Sequence, residues 1–129
     1  MTNDAAMVRA IVAGHGSFAA GLVSAVEQIT GRGNIFRTMS NSGLSLEDIQ
    51  RLLAQALDDS GAQVIFTDLP AGSCTMAARR LLRSRPSVTL VTGVNLPALL
   101  DFSMHDGEPV AAAHAAIDRA KASMLAHGA

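Results

Sequence analysis

The sequence predicts an α/β domain: an open, mainly parallel four-stranded sheet with helices on both faces. Three observations predict it. Short apolar runs at Val8–Ala13, Ala62–Thr67 and Val88–Thr92 are rich in Val and Ile, as buried parallel strands are. Between them, apolar residues recur at helical spacing. The boundaries between the two patterns carry Gly, Ser, Asn or Pro, the residues that start and stop elements. At 129 residues the chain has the length of one domain, residues 1–129, and can bury a core without disulfide staples.

Taken in order, Met1 to Met7 reads as a short tail, and Val8–Ala13 as a strand near the centre of the sheet. Ser17 is a suitable N-cap for a helix whose apolar residues are Phe18, Leu22, Val26 and Ile29, with Gly31 as its stop. Asn34–Thr38 predicts a short strand and Ser40–Gly43 a loop. Ser45 with Asp48 resembles a capping box and opens a helix through Leu46, Ile49, Leu53 and Leu57 that ends near Ser60-Gly61. After the strand Ala62–Thr67, the turn Pro70-Ala71-Gly72 leads into a helix from Ser73 up to Pro86. Val88–Thr92 is the fourth strand, and Ala98–Phe102 a short helix. Pro109 suits a first helical turn, and Ala111–His127 predicts an alanine-rich last helix.

Composition excludes several classes of function. Hydrophobic residues make up 49% of the chain and mean hydropathy is +0.28, against disorder. A net charge of −1 with 16% charged residues offers no field for nucleic acid or an anionic membrane. No apolar run approaches the roughly 20 residues of a membrane span, so direct membrane insertion is not expected. The start, Met1-Thr2-Asn3-Asp4, lacks the features of a signal peptide. A single cysteine, Cys74, rules out an internal disulfide and fits a reducing compartment. The expected location is cytoplasmic.

Chemistry concentrates at two turns. In Ile11-Val12-Ala13-Gly14-His15-Gly16-Ser17 a strand stops and an imidazole stands between two glycines. Histidine titrates nearest neutrality and can act as a nucleophile or proton carrier. In Thr67-Asp68-Leu69-Pro70-Ala71-Gly72-Ser73 a carboxylate ends the third strand. In open parallel sheets ligands bind beyond the carboxyl ends of the strands, where strand order reverses. An order of 2-1-3-4 makes the first and third strands neighbours, so His15 and Asp68 meet there. A histidine that accepts a phosphoryl group must keep one nitrogen as a free lone pair. A carboxylate on the other N–H fixes that tautomer and stabilises the charged ring. The incoming group needs donors, and Gly72, Ser73, Cys74 and Thr75 open a helix directly after Asp68, with N–H groups and hydroxyls to supply them.

Gly14-His15-Gly16-Ser17, Thr67-Asp68-Leu69-Pro70-Ala71-Gly72-Ser73 and Thr92-Gly93-Val94-Asn95-Leu96-Pro97 together resemble the mannose-family EIIA domains of the bacterial sugar phosphotransferase system. The resemblance runs in order over nearly the whole chain. It implies the 2-1-3-4 sheet and a phosphocarrier that takes a phosphoryl group from phospho-HPr on His15 and passes it to an EIIB protein, with Asp68 as partner of the histidine. It also implies a homodimer in which a C-terminal segment crosses to the other subunit, although Lys121–Ala129 reads as helical. Where this chain has Ala71-Gly72-Ser73-Cys74, the family usually reads Gly-Gly-Ser-Pro. The chain ends at Ala129 without an EIIB domain, so the expected acceptor is a separate protein.

The remaining candidates have plainer readings. His105, His114 and His127 share no metal-ligand spacing with His15 and read as solvent-exposed, so no metal and no cofactor is expected. Cys74 is either a thiol activated by a helix N-terminus or a small packing residue. Arg79, Arg80, Arg83 and Arg85 read as a solvated helix face that could also meet an acidic partner. Asn95 either shapes the site or serves its own turn. Two other functions remain open: a phosphocarrier for dihydroxyacetone kinase, whose histidine loop reads more like Ser-His-Ser, and a phosphorylated regulatory module.

Overall fold

The structure is a computed structural model that describes residues 7–129. Of the tail expected over Met1–Met7, residues 1–6 lie outside the described residues, and Met7 is exposed. The strands are β1 (Ala10–Gly14), β2 (Phe36–Ser40), β3 (Val64–Thr67) and β4 (Thr89–Val91). The helices are α1 (Phe18–Thr30), α2 (Leu46–Ser60), α3 (Ser73–Leu82), α4 (Leu96–Ser103) and α5 (Pro109–Lys121). The sheet order is β2-β1-β3-β4 and every pair is parallel, as the sequence predicts.

Alternation along β1 builds a core on each face of the sheet. Ala10 and Val12 join Phe36, Val64, Phe66 and Val91 beneath α1, α4 and α5. Ile11 and Ala13 join Ile65 on the opposite face, under Ile49, Leu53 and Leu57 of α2 and Ala77, Ala78 and Leu81 of α3. Because both faces are covered, β1 and β3 are buried along their whole length and carry almost no polar residues. Three of the four phenylalanines, Phe36, Phe66 and Phe102, meet in the first core with ring centroids 5.2–6.5 Å apart. The small residues let the helices lie close to the sheet: Ala98, Ala112, Ala113 and Ala116 are all buried where α4 and α5 pack.

Local signals act as their chemistry dictates in most places. Gly31 and Gly61 close α1 and α2 in the left-handed conformation, each donating its N–H to the carbonyl four residues back. Ser45 and Asp48 form the full capping box, Asp48 standing where Glu or Gln is usual. Asn95 caps α4, its Oδ1 accepting the Ala98 N–H at 3.0 Å. Ser17 stands before α1, but its hydroxyl makes no capping bond.

Several boundaries differ from expectation: β1 is Ala10–Gly14 rather than Val8–Ala13, β3 starts at Val64 rather than Ala62, α3 ends at Leu82 short of Pro86, β4 is Thr89–Val91 rather than Val88–Thr92, and α4 is Leu96–Ser103 rather than Ala98–Phe102. Two further differences have a visible cause. The second strand runs Phe36–Ser40, not Asn34–Thr38, because Gly33–Ile35 forms a single 3₁₀ turn first. That turn is held by Glu27, whose Oε1 accepts the Gly33 N–H at 2.9 Å, so the chain enters the sheet two residues later. The last helix ends at Lys121, not His127. Ile117 and Ala120 are its last side chains against the core, and Met124 and Leu125 beyond them are exposed. A short helix without a buried face has little to hold it, so the chain leaves helical geometry there.

Candidate functional site

Parallel pairing of β1 with β3 sets Ala13 opposite Thr67, so the residues that follow each strand emerge side by side. His15 and Asp68 meet at this rim. Asp68 Oδ2 accepts two hydrogen bonds from His15: the backbone N–H at 2.9 Å and ring Nδ1–H at 2.7 Å. The His15 side chain is 51% exposed, whereas that of Asp68 is only 10% exposed. Burial pushes the Asp68 carboxyl up, but the hydrogen bonds from the His15 ring and backbone, with the charge of the ring, outweigh it and hold the group below the ordinary carboxylate value. An ionised carboxylate only accepts, so it fixes the proton of a neutral His15 on Nδ1 and leaves the lone pair on Nε2.

The flanking glycines serve different ends. Gly16 has φ of 53°, in the left-handed region, and turns the chain into α1. Gly14 ends a strand, and there the lack of a side chain makes room. A Cβ on it would stand 2.9 Å from Phe18 Cδ2 and 3.1 Å from Asp68 Oδ2. Gly72, at φ of 136°, precedes α3, and a Cβ on it would lie 3.4 Å from His15 Cε1. The imidazole therefore rests against the start of α3, whose first N–H groups have no partner within the helix.

Of the four residues expected to cradle a phosphate, two bring side chains that point elsewhere. Cys74 is wholly buried in the core beneath α2 and α3, and burial, then the Asp68 charge, pushes its thiol up to about 11. That settles its two readings in favour of packing, since a thiol in that state is not an activated nucleophile. Thr75 is also buried; its hydroxyl donates to the Leu69 carbonyl at 2.6 Å. Its single proton is thus used, so Thr67 Oγ1 is the donor in the 2.7 Å bond between the two hydroxyls. This buried pair pins the loop that carries Asp68 to the first turn of α3. What remains toward the rim is the backbone N–H row from Gly72 to Thr75 and the half-buried Ser73 hydroxyl.

Asn41 was not singled out from the sequence and belongs to the same rim. Its N–H donates to the Gly14 carbonyl at 3.1 Å and its side-chain amide to Ser73 Oγ at 2.9 Å. Its position directly after β2, the strand beside β1, was the available signal.

The other histidines lie away from His15. His105 is 3.3 Å from Asp101, in the loop whose carbonyls Arg9 holds from the opposite end of β1. His114 is exposed on α5, and His127 is exposed beyond it. Arg79, Arg80 and Arg83 are exposed, while Arg85 forms a bidentate pair with Asp58. Among the described residues no cluster of three His, Cys, Asp or Glu is placed to hold a metal ion, and no helix is long and apolar enough to cross a membrane.

The parallel 2-1-3-4 sheet and the pairing of an imidazole with a carboxylate at its switch point are those that the sequence resemblance implies. The family model EIIA-man, described as the PTS system fructose IIA component, matches residues 9–121, and the chain belongs to this family. No curated protein sequence matches the chain significantly. Solved structures resemble it over almost its whole length. The mannose/sorbose specific IIA subunit of the phosphotransferase system from Enterococcus faecalis superimposes with a TM-score of 0.81 at 17% identity, covering 95% of this chain and 96% of that one. The PTS IIA protein associated with the fucose utilization operon of Streptococcus pneumoniae gives 0.79 at 25% identity, over 92% of this chain and 91% of that one. Phosphotransferase system component EIIA from Streptococcus agalactiae gives 0.79 at 20% identity, over 93% and 97%. The chain is therefore a phosphotransferase component of sugar uptake, a phosphocarrier between HPr and an EIIB protein.

Proposed function

We propose that His15 carries the phosphoryl group, bonded through Nε2. The observation that supports this most is the double acceptance by Asp68 Oδ2, which holds both the backbone and Nδ1 of His15. In the forward step the Nε2 lone pair bonds to phosphorus as the bond between phosphorus and the donor breaks. The ring becomes cationic as its lone pair is spent, and the Asp68 carboxylate, already hydrogen-bonded to it, stabilises that charge with no rearrangement. The phosphoryl oxygens lie against the N–H groups of Gly72, Ser73, Cys74 and Thr75, where the partial positive end of α3 favours them. The reverse sequence delivers the group to EIIB.

Incubation with labelled phosphoenolpyruvate, enzyme I and HPr, followed by peptide mapping, tests the assignment. An acid-labile phosphate on the peptide containing His15 is expected, and label on any other peptide overturns it.

The same reading takes the chain as one domain working in the cytoplasm as a homodimer. Met124 and Leu125, exposed beyond α5, and the alanine-rich α5 supply apolar surface that a second copy would cover. Light scattering at micromolar concentration is expected to return the dimer mass. A monomer would remove that part of the reading.

A further inference from the structure

Asn41 is held on three sides. Its N–H donates to the Gly14 carbonyl and its own carbonyl accepts the Leu44 N–H, both at 3.1 Å. Its side-chain amide donates to Ser73 Oγ at 2.9 Å. One residue thus ties the backbone just before His15 to the first residue of α3. A hydroxyl has one proton to give and two lone pairs that accept. With a lone pair occupied by Asn41 Nδ2–H, the Ser73 proton is directed away from Asn41. The Cys74 thiol, the hydroxyl's other neighbour, is a weak acceptor. An oxyanion at the start of α3 takes that proton in a much stronger bond.

We propose that Asn41 is a positioning residue for phosphoryl transfer: by donating to Ser73 Oγ it keeps the Ser73 hydroxyl as a donor to the phosphoryl group on His15. This rests on His15 as the acceptor. The carboxylate of Asn41→Asp would take the Ser73 proton for itself, so the aspartate preserves the tether between loop and helix but reverses its polarity. Asn41→Ala only frees the hydroxyl to rotate.

The test is single-turnover transfer from phospho-HPr to the full chain. It compares wild type, Asn41→Ala, Asn41→Asp and Ser73→Ala, and both Asn41 changes in the Ser73→Ala background, with the phosphate mapped in wild type. Asn41→Ala is expected to slow transfer roughly 3- to 10-fold and Asn41→Asp roughly 10- to 100-fold, the scale of a hydrogen bond to a charged group. In the Ser73→Ala background the alanine effect should vanish and the gap between the two variants should shrink, the non-additivity of residues acting through one contact. A purely structural tether would instead be rescued by the aspartate. Asn41→Asp at or above the Asn41→Ala rate, or an alanine effect that persists without the Ser73 hydroxyl, overturns the proposal. Label mapping away from His15 in wild type overturns the acceptor assignment and this inference with it; label on His15 with unaffected Asn41 variants removes Asn41 alone.

Discussion

His15→Ala is expected to take up no phosphoryl group from phospho-HPr, a loss to background rather than a reduction in rate. On the proposed assignment the imidazole supplies the bond-forming lone pair, and among the described residues no neighbouring group replaces it. Ser73 has no general base to activate it: Asp68 Oδ2 is bound to His15, and the Ser73 hydroxyl receives its hydrogen bond from an amide. Cys74 is buried with its thiol pushed up to about 11. His105 lies at the other end of the sheet and His114 out on α5. The substitution removes a half-exposed side chain, so the fold should persist, and a circular dichroism spectrum and melting temperature near those of wild type would accompany the loss. Full labelling of His15→Ala would refute the site assignment outright.

The second large effect is at Asp68. Asp68→Asn should retain the fold and partner binding while slowing transfer roughly 10- to 1,000-fold, about 1.4 to 4 kcal/mol of transition-state stabilisation. Replacing the orienting aspartate of a serine protease by asparagine costs about 10⁴-fold, largely because the wrong tautomer of the histidine is then held. Here one oxygen accepts both the His15 backbone N–H and Nδ1–H. That pair of donors selects the amide orientation with Oδ1 facing them, so the tautomer survives and only the charge is lost. The neutral acceptor stabilises the cationic ring less, since hydrogen bonds to an ionised partner are roughly twice as strong. Single-turnover transfer from phospho-HPr measures the effect. A wild-type rate would deny the carboxylate its role.

Much of the fold was legible because each element carries a local reason. The apolar runs around Ile11 and Ile65 are buried strands on the local pattern alone, and Gly31, Gly61 and the Ser45–Asp48 box mark helix ends by their own chemistry. The pairing of His15 with Asp68 was legible once the family resemblance supplied the 2-1-3-4 order, which brings the ends of the first and third strands together. The later start of β2 was not, because it depends on Glu27 reaching across to the Gly33 N–H. The end of α5 was missed because alanine favours helix wherever it falls, whereas the actual limit is where Ala120 makes the last core contact.

The site was legible in position more than in the orientation of its side chains. Reading Cys74 and Thr75 for their N–H groups needs only the helix start, but their side chains belong to the buried face formed with Ala77, Ala78 and Leu81. That spacing is the ordinary apolar stripe of a helix and was available in the sequence. Asn41 escaped for a different reason. Ser40-Asn41-Ser42-Gly43 has the composition of any turn, and its reach to Ser73 exists only once β2 lies beside β1 with Ser40 opposite Gly14.

The central claim is that Asp68 commits Nδ1 of His15 and leaves Nε2 to carry the phosphoryl group. The phosphorylated protein, labelled with ¹⁵N in histidine, reports this directly through coupling between phosphorus and the ring nitrogens. Phosphorus bonded to Nε2, with Nδ1 still protonated, is the predicted result; a phosphoryl group on Nδ1 would contradict the account.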